Sequence, residues 1–171
     1  MSNIRFVVAP LRIAFSLNDD ENFKKEFDFL GLNDEDSVGE WLKLAKARGE
    51  TSESDQVLLR LVVELHRKLD TLSAYVKGEQ ISYVDLSQTC DLEAIGYEHI
   101  KLSQALFNSG EEYYARIAMP IFPKREVPLF FKAYSTSEAK IVLMHEKDEK
   151  DYNAYLVARE RALIREMRAR L

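Results

Sequence analysis

The sequence predicts an α+β protein in which helices and strands occupy different parts of the chain. Apolar residues recur three and four apart between Ser54 and Val76, which is typical of a helix. After Gln80 the chain contains short apolar runs broken by turns roughly every 8–12 residues, which favours an antiparallel sandwich or barrel. An arginine-rich helical pattern follows Asp148. These patterns divide the chain into residues 1–53, 54–78 and 79–171.

The first segment begins with extended chain and continues with a short helix. Ile4 to Phe15 is predicted to be extended, because Ile4, Phe6 and Val8 alternate with Arg5 and Val7. Pro10 limits this stretch to an edge strand or two short strands. Asp19 and Asp20 are candidate N-caps for an amphipathic helix that ends near Gly31.

A second helix is predicted from Asp34 to Ala47. Its expected apolar face consists of Val38, Trp41, Leu42 and Ala45. The polar stretch from Gly49 to Ser54 then breaks the helical pattern.

The third helix carries a heptad pattern of apolar residues. Ser54 can cap its start, and Gly78 lies just past its end. The heptad residues follow one another at spacings of 4, 3, 4, 3 and 4, and they are Leu58, Val62, Leu65, Leu69, Leu72 and Val76. This spacing is typical of a coiled-coil seam, and other apolar residues widen it. Two interpretations stay open: a core helix packed on its own domain, or an oligomer interface formed by these six residues.

The last segment combines short strands with a final helix. The first strand is predicted from Ile81 to Leu86, residues 91–99 fit a strand or a turn, and residues 99–107 fit a turn and a short strand. Three further strands are predicted at Glu111–Met119, Val127–Ser135 and Lys140–Met144. Asp148 can start the final helix.

Composition and charge exclude several classes of protein. The chain has 171 residues, 46% of them hydrophobic, which is enough for a packed core. Its net charge of −5 argues against general nucleic-acid binding, and no apolar run is long enough for a membrane helix. We expect a cytoplasmic protein without a signal peptide.

The single cysteine, Cys90, excludes an internal disulfide, and the three histidines lack a metal-ligand spacing, so we expect no metal site. Nothing in the sequence argues for an enzyme.

The charge is unevenly distributed. Residues 18–55 contain twelve acidic residues against five basic ones, a local net charge of −7. Residues 152–171 contain five arginines against two glutamates. Two solvated helix faces would account for both regions, and mutual attraction within or between chains is the alternative.

The strand region and the tail resemble a PilZ domain. Residues 83–90 are similar to the family's Asp/Asn-x-Ser-x-x-Gly motif, with Asp85 and Ser87 in the matching positions and Cys90 in place of the glycine. The stretch from Tyr113 to Tyr134 is similar to the central strand pair, and Ile141 to Arg168 resembles the closing strand and helix. The resemblance implies a β-barrel followed by a C-terminal helix. The helix before the barrel resembles the helical additions of atypical PilZ proteins, which are associated with oligomers.

Cyclic di-GMP is the ligand that this resemblance implies. The family's Arg-x-x-x-Arg pair, which holds the phosphates and stacks on guanine, is missing upstream of Asp85. Arg161 and Arg165 have that spacing but lie at the other end of the chain. We therefore expect weak or no nucleotide binding and no resident cofactor.

The resulting hypothesis is a bacterial, non-enzymatic signalling adaptor in a cyclic di-GMP pathway. It would self-associate and bind other signalling, motility or pilus proteins, without binding nucleic acid or inserting into a membrane. The alternative is a cyclic di-GMP receptor that uses Asp85, Ser87 and tail arginines such as Arg161 and Arg165. A third possibility is a structural helical-bundle protein whose resemblance to a barrel is accidental.

Overall fold

Seven strands and four helices make up the described part of the chain, which a computed structural model gives for residues 3–32, 37–76, 83–120 and 125–171. The strands are β1 (Val7–Val8), β2 (Arg12–Leu17), β3 (Gln88–Gly96), β4 (His99–Leu102), β5 (Glu112–Met119), β6 (Arg125–Ala133) and β7 (Glu138–Met144). The helices are α1 (Glu21–Leu32), α2 (Ser37–Ala47), α3 (Gln56–Val76) and α4 (Glu146–Ala169). The predicted α+β class is confirmed.

The chain forms two compact units. One contains residues 1–27 and 84–171 and is called the barrel unit below. The other contains residues 28–83 and is called the helical unit.

Six strands of the barrel unit close into an antiparallel barrel, as the sequence predicts. Around the ring the order is β3, β2, β5, β6, β7 and β4, and β4 pairs again with β3. Strand β1 pairs with β3 next to β2, with Val7 opposite Ile95. Pro10 separates β1 from β2, so the predicted division of the first stretch into two short strands is confirmed. The barrel therefore includes strand β2 from the start of the chain as well as strands from the last segment.

Aromatic side chains fill much of the barrel interior. Alternate residues of each strand point inward, and fully buried ones include Ile13, Phe15 and Ile117. Four rings, those of Phe15, Phe107, Tyr113 and Phe131, have centroids 5.0–6.3 Å apart. Edge-to-face and offset pairs of this kind add to the stabilisation from burial alone.

Helix α4 is fixed to the barrel by its first turns. The Tyr152 hydroxyl donates to the carbonyls of Gly96 (2.8 Å) and His99 (3.1 Å), and burial raises the pKa of that hydroxyl. The helix begins at Glu146 with His145 in the N-cap position, so the predicted start at Asp148 is wrong. Asp148 lies in the first turn, where a carboxylate also interacts favourably with the helix dipole.

The turn between β3 and β4 requires a glycine. A Cβ atom on Gly96 would lie 2.8 Å from the backbone carbonyl oxygen of Arg5, closer than side-chain carbons approach such atoms. Two residues later, Glu98 has a φ of 63°, in the left-handed region, which allows the two-residue reversal.

The predicted strand from Ile81 to Leu86 is wrong over its described part. Residues 83–86 have no regular secondary structure and pair with no described strand, and Ile81 lies outside the described residues. The backbone N–H of Val84 instead donates to Glu26 Oε1 (2.9 Å), and Arg116 Nη1 donates to the Val84 carbonyl (3.0 Å). Because side chains satisfy these backbone groups, the segment needs no strand partner.

Helix α1 is short, with 12 residues, whereas α3 has 21 and α4 has 24. Asp20 caps α1 by accepting from the backbone N–H of Asn22 (2.9 Å), as predicted. In the helical unit, α2 packs against α3, and the turns at residues 48–53 connect them.

Candidate interaction surface

Helix α3 is the element on which the candidate surface lies. Asp55 caps it, because its Oδ1 accepts from the backbone N–H groups of Val57 (2.9 Å) and Leu58 (3.4 Å). The predicted cap, Ser54, lies one residue too early. Leucine, lysine and arginine in the helix interior favour the helical state.

All six heptad residues of α3 are exposed and form one continuous stripe, called the seam below. Each of Leu58, Val62, Leu65, Leu69, Leu72 and Val76 keeps between 54% and 76% of its surface exposed. At 100° per residue they fall within a narrow arc of the helix. Such an extended apolar surface is unusual on a protein that functions alone.

The opposite side of α3 is the side that the chain covers. Val63, Glu64 and Arg67 are half-buried there, within about 60° of the direction opposite the seam. Leu59 and His66 are half-buried at the edge of this side, about midway round the helix towards the seam. This covered side carries charged and polar groups, whereas the exposed seam is purely leucine and valine. The helix therefore packs within its own chain through its less apolar side.

Further apolar residues extend the exposed surface of the helical unit. Leu61 and Tyr75 flank the seam and are 51% and 63% exposed. On α2, Trp41 and Leu44 are exposed, whereas Leu42 and Ala45, which share the expected apolar face with Trp41, are buried. The apolar residues of α2 span too wide an arc for one contact, and only Leu42 and Ala45 are buried.

The predicted nucleotide-binding residues lie in the barrel unit. Asp85 and Ser87 are exposed just before β3, and the Ser87 backbone N–H donates to Ser16 Oγ (2.6 Å). Arg161 and Arg165 are exposed one turn apart on α4.

None of the described contacts joins these two pairs. Ser87 precedes the first residue of β3, Gln88, whereas Arg159, in the turn of α4 next to Arg161, donates from Nε to the carbonyl of Val8 (3.0 Å). Val8 pairs with Ala94, six residues along β3 from Gln88, which corresponds to about 20 Å. The structure therefore places Asp85 and Ser87 together just before β3, and it places Arg159, which precedes Arg161 on α4, by another part of that strand.

A buried acidic residue that the sequence did not single out lies in the barrel unit. Glu26 accepts from the Tyr114 hydroxyl (2.5 Å), from Arg116 Nη1 (2.9 and 3.1 Å) and from the Val84 backbone N–H. Burial, followed by the hydrogen bond with Glu26, raises the pKa of the Tyr114 hydroxyl. Glu26 falls on the same face of α1 as Phe23 and Phe27, and that position is the signal that could have identified it.

The single cysteine of the chain lies in the barrel core. Cys90 is buried, with its Sγ 3.3 Å from the Asp91 carbonyl and 3.6 Å from Ser103 Oγ. Over residues 3–32, 37–76, 83–120 and 125–171, no cluster of histidine, cysteine and carboxylate side chains could hold a metal ion. No helix in this same part of the chain combines the length and hydropathy needed to cross a membrane.

Comparison with known proteins gives no matching family model, no matching curated protein and no matching solved structure.

Proposed function

We propose that this chain is a protein-interaction module that self-associates through the seam of α3. One observation carries the proposal: the most apolar side of α3 is exposed, and the helix is covered on its more polar side. A fold that needed α3 only for its own core would bury the leucines first, because their burial contributes most to stability.

A second copy of the same helix is the occupant that fits the seam. Residues that alternate at spacings of three and four insert between the side chains of an identical helix, so a heptad seam is complementary to itself. Self-complementary patches of this kind generate closed two-fold dimers, which are the commonest soluble oligomers.

The burial gained on pairing is sufficient for a stable complex. Complete burial of a leucine or valine contributes about 1.5–3 kcal/mol. Covering the exposed half of six such side chains on each of two copies contributes about 9–18 kcal/mol, whereas association costs about 4–15 kcal/mol. We expect a dimer at micromolar concentrations.

Charge placed in the seam tests the proposal. Substituting both Leu65 and Leu69 by aspartate should reduce the mass in solution from twice 19.8 kDa to 19.8 kDa, because two carboxylates would be buried at the interface. Arg60→Asp with Thr71→Asp is the matched control, since it adds two aspartates to exposed positions of α3 away from the seam. Sedimentation equilibrium gives the masses, and circular dichroism confirms that each variant is folded. A wild-type monomer at high micromolar concentration, or a dimer in the Leu65/Leu69 variant, contradicts the proposal.

The cellular role that we propose is that of a signalling adaptor in a cyclic di-GMP pathway with weak or no nucleotide binding. The resemblance to PilZ domains suggests this role, and the closed antiparallel barrel followed by α4 is compatible with it. The absence of an Arg-x-x-x-Arg pair upstream of Asp85 argues against a phosphate clamp of the family's type. Calorimetric titration with cyclic di-GMP should give no saturable heat. Micromolar binding that is lost in an Arg161→Ala, Arg165→Ala variant would favour the receptor alternative.

A further inference from the structure

We infer that the two α3 helices of the dimer lie parallel and in register. The inference rests on the proposed self-association and adds the direction of the partner helix. It uses two features of α3: which residues occupy the two core positions of the heptad, and which residues flank them.

The residues at the core positions of the heptad favour a pair of parallel helices. The a positions are Val62, Leu69 and Val76, and the d positions are Leu58, Leu65 and Leu72. Valine at a combined with leucine at d favours a parallel two-stranded coiled coil, because each branched side chain then packs without strain against its own copy.

The residues that flank the heptad core destabilise an antiparallel arrangement of the two helices. Antiparallel helices with full overlap would pair Val62 with Leu72 of the second copy and Leu65 with Leu69. That arrangement brings the exposed Lys68 against Lys68 of the other copy, and like charges facing each other destabilise a helix pair.

Parallel helices avoid this repulsion. Each g residue then meets the e residue five positions later on the other copy, so Lys68 faces Ser73, and Leu61 faces His66. Leu61 is about half exposed in the single chain, so the second copy would cover it. The capping residue Asp55 would face Asp55 at the first a position, but it lies at an exposed helix end, where solvent and salt screen the repulsion.

Disulfide trapping in the full chain distinguishes the two directions. A Val62→Cys variant should form a disulfide-linked dimer with itself under mild oxidation, because a positions of a parallel pair face each other within the roughly 4.4–6.8 Å that a disulfide spans between Cα atoms. Leu72→Cys should do the same. The matched control is Val63→Cys, one residue along but on the covered side of α3, and it should stay unlinked. The natural Cys90 is buried, so the wild type should also stay unlinked.

A mixture of the Val62→Cys and Leu72→Cys variants tests for the antiparallel arrangement. If the helices are antiparallel, Val62→Cys and Leu72→Cys link mainly to each other, as mass spectrometry of the joined peptides would establish, and the inference of direction is overturned while self-association stands. If the unoxidised protein sediments as a monomer and no variant links, both proposals fail. A dimer by mass with no linkage at residues 62 or 72 places the interface away from the seam, which also overturns both.

Discussion

Glu26 illustrates how a single residue connects separate parts of the barrel unit. Its carboxylate accepts hydrogen bonds from β5, through Tyr114 and Arg116, and from the segment that precedes β3, through Val84. Only 4% of its side-chain surface is exposed. A buried carboxylate needs such partners, because without them the charged form is strongly disfavoured.

Removal of that carboxylate should therefore be costly. We expect Glu26→Ala to lower the free energy of unfolding by about 3 kcal/mol, because Arg116 would stay buried without its main counter-charge. Glu126→Ala is the matched control: its carboxylate is 3.9 Å from Arg116 Nε but largely exposed, and its loss should cost less than about 0.5 kcal/mol. Urea denaturation measures both values. Equal losses in the two variants would contradict the role of Glu26.

At the scale of the element, the start of α3 depends on its cap. Asp55→Ala removes the acceptor for two backbone N–H groups and should destabilise the helical unit by about 1 kcal/mol. Ser54→Ala is the control, since no hydrogen bond of the Ser54 side chain is described, and it should have little effect. Helix content measured by circular dichroism during thermal unfolding checks the difference. A larger effect of Ser54→Ala would mean that the helix starts one residue earlier in solution.

Elements with strong periodicity could be predicted from the sequence. The helix over residues 56–76 and the strands at Glu112–Met119 and Glu138–Met144 lie within two residues of the expected bounds. The segment at residues 83–86 could not be predicted, because its backbone pairs with the side chains of Glu26 and Arg116, which are distant in sequence. Strand β3 also escaped a firm assignment, although its buried residues Cys90, Leu92 and Ala94 alternate with exposed ones.

The candidate surface could also be predicted only in part from the sequence. The six seam residues follow from spacing alone, and the sequence left open whether they were core or interface. Their exposure depends on which side of α3 the chain covers, and that choice is made by tertiary packing. The exposure of Trp41 has the same origin, because helical spacing does not indicate which part of a wide apolar arc finds a partner.

For the whole molecule, two compact units imply two responses to protein concentration. If dimerisation covers α3, a tenfold increase in concentration should slow amide hydrogen exchange of residues 56–76 by up to about threefold, because the monomer fraction falls with the square root of concentration. Strands β5 and β6 should exchange at an unchanged rate. The Leu65→Asp, Leu69→Asp variant is the control and should show no dependence on concentration in either unit. A uniform change across the chain would contradict the assignment of the interface to α3.

The close approach of Gly96 to the Arg5 carbonyl limits how this fold can diverge. Any substitution there adds a carbon atom where backbone already lies, and backbone cannot turn aside as a flexible side chain can. A related chain that keeps the same path must therefore retain glycine at the end of the strand equivalent to β3, or re-route the residues before β1. A glycine before a two-residue turn, combined with a tyrosine in the second turn of the closing helix whose hydroxyl bonds to that glycine's carbonyl, is thus a short sequence signature for recognising distant relatives.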